Sequence, residues 1–172
     1  MPRIEVVQLS DLKTGDQTAV MGNVVDLHPS LLPLMDHTKG IYFHHGIFDR
    51  EKLEVIDFHG VTKADAKPKR RPILEFVARG RQLFRVLHEN CLPVAETMKM
   101  VNEATEQRSY WPGYDLITNN WETFATYLKT GKKYSAQASA ALLNLLINAA
   151  AAVTGAAVVA GSPSVSSFEG QR

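Results

Sequence analysis

The chain has 172 residues and a mass of 19.1 kDa, which predicts one domain large enough to bury a core without disulfides or a structural metal. Hydrophobic residues at 45% and charged residues at 22% exclude a disordered, collagen-like or coiled-coil chain. A net charge of +1 argues against a nucleic-acid-binding domain, and the single cysteine, Cys91, excludes an internal disulfide and favours a reduced, intracellular setting.

The first half of the chain is predicted to consist of short strands. The opening segment MPRIEVVQLSDLKTGD lacks the apolar core of a signal peptide, so we expect the chain to begin in the cytosol. Alternating or β-rich runs predict strands at Ile4–Leu9, Gln17–Val25, Tyr42–Phe48, Leu53–Phe58, Ile73–Val77 and Gln82–His88. The third and fourth runs, YFHHGIF and LEVIDF, are separated by the charged turn DREK and predict a hairpin.

A basic stretch crosses the middle of the chain. From Lys63 to Arg85 eight basic residues stand against two acidic ones. Such a stretch is typical of a solvated loop with its flanking strands, or of a surface that contacts an anionic membrane. Under the second interpretation, the candidate lipid-contacting residues are Lys67, Lys69, Arg70 and Arg71.

Two helices are predicted after the strands. Pro93 suits a first helical turn, and the segment that follows places Val94, Met98 and Val101 at helical spacing. A second helix runs through WETFATYLKTG, with Asn119 or Asn120 as its N-cap and Gly131 as its C-cap.

An uncharged segment, Ala138–Ala160, lies near the end of the chain. As a helix it would be roughly 34 Å long, which is enough to cross a bilayer core. It predicts a membrane anchor, a helix packed on the domain or on a partner, or a poorly ordered tail. Under the anchor interpretation Leu142, Leu145 and Leu146 would contact lipid. We therefore expect a domain over residues 1–135, a hydrophobic helix over 136–161 and a flexible tail over 162–172.

The histidines are the main candidates for chemistry. His44 and His45 are adjacent on a predicted strand, so their side chains point to opposite faces of the sheet. Asp57 lies across the predicted hairpin, close enough for its carboxylate to hold an imidazole of His44 in one tautomer. His59 shares a face with Asp57, but we expect strand-surface histidines here and neither a metal nor a cofactor.

Several segments together resemble the lecithin retinol acyltransferase family, which includes phospholipase A/acyltransferase proteins and viral H-box/NC proteins. They occur in the order LKTGDQTAV, YFHHGIF, LEVIDFHG, LPVAETMKMVNEA and YDLITNNWETFATYLKTGKKYSAQA. The resemblance implies an α+β, circularly permuted papain-like fold, in which an antiparallel sheet carries the histidines and a helix carries a cysteine nucleophile. It also implies phospholipid acyl transfer through a thioester and a hydrophobic C-terminal membrane attachment.

The motifs of the family match this chain incompletely. His44 in HHGIF falls on the general-base histidine, and Asp57 in VIDF falls on the second histidine of the family. Trp121 in NWETF occupies the position of the nucleophilic cysteine, and an indole cannot attack a carbonyl under these conditions. The resemblance therefore implies a degenerate site composed of His44, Asp57 and Trp121.

Three functions remain open from the sequence. The first is a catalytically inactive relative that acts as a membrane- or lipid-associated binding module, in the cytoplasm or on the cytoplasmic face of a membrane. The second is an active enzyme with a relocated nucleophile, either Cys91, whose alternative role is that of a buried structural cysteine, or the hydroxyl of Thr118 or Thr123. The third is an assembly protein that self-associates through small residues of its C-terminal helix, such as Gly155.

Overall fold

The sheet of this protein has six antiparallel strands in the spatial order β1-β6-β2-β3-β4-β5. The structure, a computed structural model, describes residues 2–23, 41–59, 66–78, 80, 82–106, 120–136, 139, 143, 146 and 147. The strands are β1 Arg3–Val6, β2 Gln17–Asn23, β3 Ile41–Asp49, β4 Glu54–His59, β5 Lys67–Pro72 and β6 Leu83–Leu87. The helices are α1 Ile73–Val77, α2 Val94–Glu106 and α3 Trp121–Thr130. The predicted α+β class with an antiparallel sheet is therefore confirmed.

The sheet buries side chains on both faces. Successive residues of a strand point to opposite faces, so Ile47 of β3 packs against α2 and α3, whereas Phe48 packs on the side of α1. The core on the α2 and α3 side contains Ile47, Ile56, Phe58, Val101, Ala104, Trp121, Phe124, Ala125 and Leu128. The core on the α1 side contains Val7, Leu12, Val20, Phe48, Val55, Ile73 and Phe76.

Helix α3 is the central helix and lies against β3. Its N-cap is Asn120, whose side chain accepts a hydrogen bond from the Thr123 backbone N–H at 2.8 Å. Its C-cap is Gly131, which adopts a left-handed conformation with φ of 73°. Both caps confirm the sequence prediction. They fix where α3 begins, and therefore where the side chain of Trp121 meets the sheet.

The basic stretch and the segment after it differ from the prediction. Residues 67–72 form the edge strand β5, paired with β4, where a solvated loop was one of the expectations. The prediction of a strand at Ile73–Val77 is wrong, because these residues form α1. Ile73 and Phe76 are buried three residues apart, while Leu74 between them is exposed, which is a helical pattern.

The C-terminal segment is described at a few positions. Residues 136, 139, 143, 146 and 147 have helical backbone. In the described part of the chain, no helix is long and apolar enough to cross a membrane. The remaining positions of the predicted helix over 136–161, including Leu142 and Leu145, and the predicted tail over 162–172 lie outside the described residues.

Candidate functional site

A buried hydrogen-bonded chain of His44, Asp57 and Arg71 forms the centre of the candidate site. His44 Nε2 lies 2.7 Å from Asp57 Oδ2, and Asp57 is fully buried at 0% exposure. Arg71 Nε donates to Asp57 Oδ1 at 3.1 Å, and its terminal nitrogen contacts Asp57 Oδ2. The predicted contact between His44 and Asp57 is confirmed, and Arg71 is a third member that the sequence did not indicate.

These contacts keep Asp57 ionised. Burial by itself would raise the pKa of this carboxyl group, but hydrogen bonds and charge from His44 and Arg71 lower it to about 2. Because an ionised carboxylate only accepts hydrogen bonds, His44 Nε2 must carry the proton that it shares with Asp57. In neutral His44 the other ring nitrogen, Nδ1, then holds a lone pair. No residue of the described part hydrogen-bonds to it.

Aromatic side chains flank the His44 ring. The ring of Trp121 has its centroid 5.4 Å from that of His44, and the ring of Phe76 has its centroid at 5.6 Å. The pairing of β3 with β4 runs from Asp49 opposite Glu54 to Gly46 opposite Asp57. Further toward the start of β3, the Phe43 carbonyl accepts a hydrogen bond from the Trp121 indole N–H at 2.8 Å. The Trp121 side chain of α3 therefore contacts His44 next to the last β3–β4 pair, Gly46 with Asp57.

Among the residues that the structure describes, the arrangement provides a base and an orienting carboxylate but no nucleophile in contact with the base. A nucleophile needs to lie within hydrogen-bond reach of the base, and the residue at the start of α3 that contacts His44 is tryptophan. Thr123 is buried, and its hydroxyl makes no hydrogen bond to His44. Thr118 lies outside the described residues.

Cys91 makes no hydrogen bond to His44, Asp57 or Arg71. It lies between β6 and α2, where its thiol is directed to the His88 carbonyl at 3.7 Å. The expectation that Cys91 is a buried structural cysteine is wrong, because it is exposed. An exposed residue in this connecting segment does not pack in either core, so hydrophobic packing does not account for it.

A second polar network lies on the opposite face of the sheet, around His45. The Gln17 side-chain amide donates to His45 Nδ1 at 3.2 Å and to Thr126 Oγ1 at 3.3 Å. The side-chain oxygen of Gln17, Oε1, accepts a hydrogen bond from His88 Nε2 at 2.8 Å. Because His45 Nδ1 accepts this hydrogen bond, His45 is neutral.

Burial is also the largest influence on the pKa of His45. It lowers this pKa to about 4, against an opposing effect of the Glu122 carboxylate and with smaller contributions from His44 and His88. Burial, followed by the charge of Lys129, likewise lowers the pKa of His88. The His45 imidazole therefore remains neutral in mildly acidic solution, and the pKa of His88 is shifted in the same direction.

Polar side chains also surround the start of α3. Asn120 donates through its side-chain amide to Ser135 Oγ at 3.1 Å, and Ser135 donates to Glu122 Oε2 at 2.6 Å. All three residues are buried. They join the first turn of α3 to the segment that follows it, and they support the position of Trp121.

The structure separates the four predicted basic lipid contacts into two groups. Lys67 is exposed and Lys69 is half-buried on β5. Arg70 bonds to Asp49, Glu54 and Asn102. Arg71 is buried against Asp57, so its charge is not presented to a surface. If residues 67–72 had been recognised as a strand beside β4, the alternation of its side chains could have identified Arg71 as a partner of Asp57. Two prolines in this stretch, which are unusual inside strands, hid the strand from the sequence analysis.

Apolar side chains are presented by the C-terminal residues. Leu146, a predicted lipid contact, is 59% exposed, and Leu143 and Ile147 are similarly exposed. Their spacing of three and four residues places them on one face of a helix. Leu143, Leu146 and Ile147 together are called the apolar face.

The described residues contain no group of three or more potential metal ligands close enough to hold an ion. His59 therefore does not join His44 and Asp57 in such a group. Comparisons of the chain with protein-family models, with curated proteins and with solved structures gave no match.

Proposed function

We propose that this protein is an acyltransferase-like domain that has lost its nucleophile and acts as a membrane- or lipid-associated binding module. The observation that carries the proposal is the contact between Trp121 and His44 at the start of α3. A tryptophan occupies the place where a thioester would have to form, beside a histidine that still has its orienting carboxylate.

The order of the elements supports a relation to the lecithin retinol acyltransferase family. In that family's permuted papain-like fold, the histidine-bearing sheet precedes the nucleophile-bearing helix along the chain. Here His44 is on β3 and Asp57 on β4, and both precede α3, which begins at Trp121. The histidine also bonds through Nε2 to its orienting group, so Nδ1 is available toward a partner.

The C-terminal residues support attachment to a membrane surface. The apolar face exposes three large side chains, and exposed Lys132 precedes it along the chain. Apolar residues near lysine are typical of segments that lie in the interface between headgroups and acyl chains. This form of association needs no membrane-spanning helix.

The catalytic part is tested by intact-mass measurement after incubation with a phosphatidylcholine acyl donor. We expect no acyl adduct on the natural sequence and an adduct on Trp121→Cys, because His44 and Asp57 would then face a thiol. Trp121→Ser is the matched control, since it removes the same bulk but provides a weaker nucleophile, and it should remain unmodified. An adduct on the natural sequence that maps to Cys91 would overturn the proposal.

The membrane part is tested by co-sedimentation with phosphatidylcholine vesicles. Replacing Leu143, Leu146 and Ile147 together by serine should abolish sedimentation, because it removes the apolar area that would enter the bilayer. Replacing Leu74, Val94 and Leu53, which are exposed elsewhere, gives a control that should sediment normally. Equal sedimentation of all three proteins would contradict attachment through this face. A loss of self-association in the first variant, without loss of vesicle binding, would instead favour an assembly role.

A further inference from the structure

Strand β1 lies at one edge of the sheet and exposes two large apolar side chains. In the described part of the chain, its single neighbour in the sheet is β6. Ile4 and Val6 of β1 are 48% and 57% exposed, although the β6 residues directly opposite them, Val86 and Phe84, are buried. Residues opposite each other in an antiparallel pair share a face of the sheet. An apolar face therefore continues from the buried residues of β6 to exposed residues at the edge.

The outward-pointing backbone groups of β1 belong to the same two residues. Along an antiparallel pair, residues that exchange hydrogen bonds with the neighbouring strand alternate with residues that do not. The Val7 N–H donates to the Leu83 carbonyl at 3.1 Å, so the odd-numbered residues are the ones that bond to β6. The N–H and C=O groups of Ile4 and Val6 therefore point away from the sheet, where a further strand can pair with them.

The two edges of the sheet differ in how they would receive another strand. Strand β5, at the opposite edge, contains two prolines, which lack the N–H donor, and four basic side chains. Strand β1 contains neither proline nor lysine, and its two charged residues, Arg3 and Glu5, have opposite signs. The composition of β5 thus opposes pairing with an identical strand, whereas the composition of β1 permits it.

We propose that two copies of this chain associate through β1, as an antiparallel pair centred on Ile4 that joins their sheets into one. Ile4 then lies opposite Ile4 of the second copy, and the Val6 N–H donates to the carbonyl of Pro2 of the second copy. Arg3 lies opposite Glu5 of the second copy. Because the arrangement has two-fold symmetry, each of these unlike contacts occurs twice. The inference goes beyond the acyltransferase-like proposal and does not depend on it.

The charges of β1 select this register. If the pair were centred on Glu5 or on Arg3, two identical charges would lie directly opposite each other, which destabilises a strand pair. In the register centred on Ile4 the opposed charges attract. Arg3 forms no ion pair with any described residue, and Arg85 contacts Glu5 through Oε1. The second carboxylate oxygen of Glu5 can therefore accept a hydrogen bond from Arg3 of the second copy.

The first test measures the dissociation constant of the dimer of the full chain by sedimentation equilibrium. Ile4→Pro removes the outward N–H donor, a change that an edge strand tolerates. Ile4→Val is the matched control, because it keeps both the donor and a β-branched side chain. We expect Ile4→Pro to dimerise about tenfold more weakly and Ile4→Val to remain within about twofold of the natural chain. Thermal unfolding shows whether each variant folds, and equal dimerisation of two folded variants would overturn the proposal.

A second test changes the charges and leaves the backbone as it is. Arg3→Glu and Glu5→Arg each place like charges opposite each other, so each variant alone should dimerise about tenfold more weakly. An equimolar mixture of the two should recover the affinity of the natural chain, because every cross-strand pair then joins opposite charges. A natural chain that stays monomeric, or a mixture no stronger than either variant alone, would overturn the proposal. Loss of the dimer on replacement of Leu143, Leu146 and Ile147 by serine would also overturn it, because the association would then belong to the apolar face.

Discussion

Arg71 is the second partner of the Asp57 carboxylate that orients His44. It shares Asp57 Oδ2 with the imidazole and also binds Oδ1, so one carboxylate serves two cationic or proton-donating groups. Two partners on one carboxylate fix its position, and the carboxylate in turn holds the orientation of the His44 ring.

Replacing Arg71 by methionine should destabilise the fold by about 3 kcal/mol, because removal of one partner leaves the Asp57 carboxylate buried beside His44 alone. The double variant Arg71→Met with Asp57→Asn should lose less than the sum of the two single variants, because no uncompensated charge remains. Urea unfolding measures these free energies. The matched control is Arg85→Met, whose pair with Glu5 is partly exposed and should contribute at most about 1 kcal/mol. If the double variant instead lost as much free energy of unfolding as the two single variants together, Arg71 and Asp57 would not be energetically coupled.

Gly46 allows β3 and β4 to approach closely enough for Asp57 to reach His44. A Cβ at this position would collide with the Val55 side chain and would lie 2.9 Å from the Ile56 carbonyl oxygen. We expect Gly46→Ala to lower the free energy of unfolding by about 2 kcal/mol, because β4 would have to move. Gly131→Ala is the control for backbone strain alone, since its Cβ would meet only the Leu92 methyl groups, at 3.8 Å. Stability of Gly46→Ala equal to that of the natural chain would show that β4 is free to shift.

The sequence predicted part of this site at the level of residues. The spacing of His44 and Asp57 on two consecutive β-rich runs was sufficient, because a hairpin brings such positions together. Arg71 was not predicted as a partner, since a basic stretch usually faces solvent. Gln17 was not predicted either, because its contacts with His88 and Thr126 join residues 71 and 109 positions apart. Such contacts depend on tertiary packing, which a local pattern does not contain.

At the scale of elements, α3 depends on its N-cap. Asn120→Ala removes the acceptor of the Thr123 N–H and the donor to Ser135, so we expect a loss of about 2 kcal/mol in the free energy of unfolding. Ser135→Ala leaves the cap in place and should lose less. Thermal unfolding of both variants measures the difference. A larger loss for Ser135→Ala would show that the hydroxyl contact to Glu122 is more important than the cap.

The sequence failed to predict strand β5 and helix α1, for two different reasons. Strand β5 contains Pro68 and Pro72, which are unfavourable inside a sheet but are accommodated at its edge. Helix α1 has five residues, which is too short for a helical period to be distinguished from a run of strand-forming residues. The longer helices α2 and α3 had both a periodic pattern and boundary residues, and both were predicted within one or two residues.

At the scale of the whole molecule, the two faces of the sheet carry separate polar networks that respond to pH in the same direction. His45 has a pKa of about 4 in the folded protein and an ordinary value of 6.5, so the unfolded chain binds its proton first as the pH falls. Stability is therefore lost between about pH 6.5 and pH 4, and burial of this neutral histidine makes the loss about 3 kcal/mol. His88, whose pKa is also lowered, adds to this loss in the same direction.

Because Asp57 titrates at lower pH than His45, the free energy of unfolding continues to depend on pH in more acidic solution. Its pKa is about 2 in the folded protein and 3.8 ordinarily, so its stabilising contribution is present above pH 3.8 and is lost as the pH falls to about 2. We expect the free energy of unfolding to fall in two steps when it is measured by urea titration at a series of pH values. His45→Asn keeps an acceptor for Gln17 without a titrating ring, so it should flatten the first step while the second remains. A first step of unchanged size in His45→Asn would assign the loss to another group and contradict a neutral, buried His45.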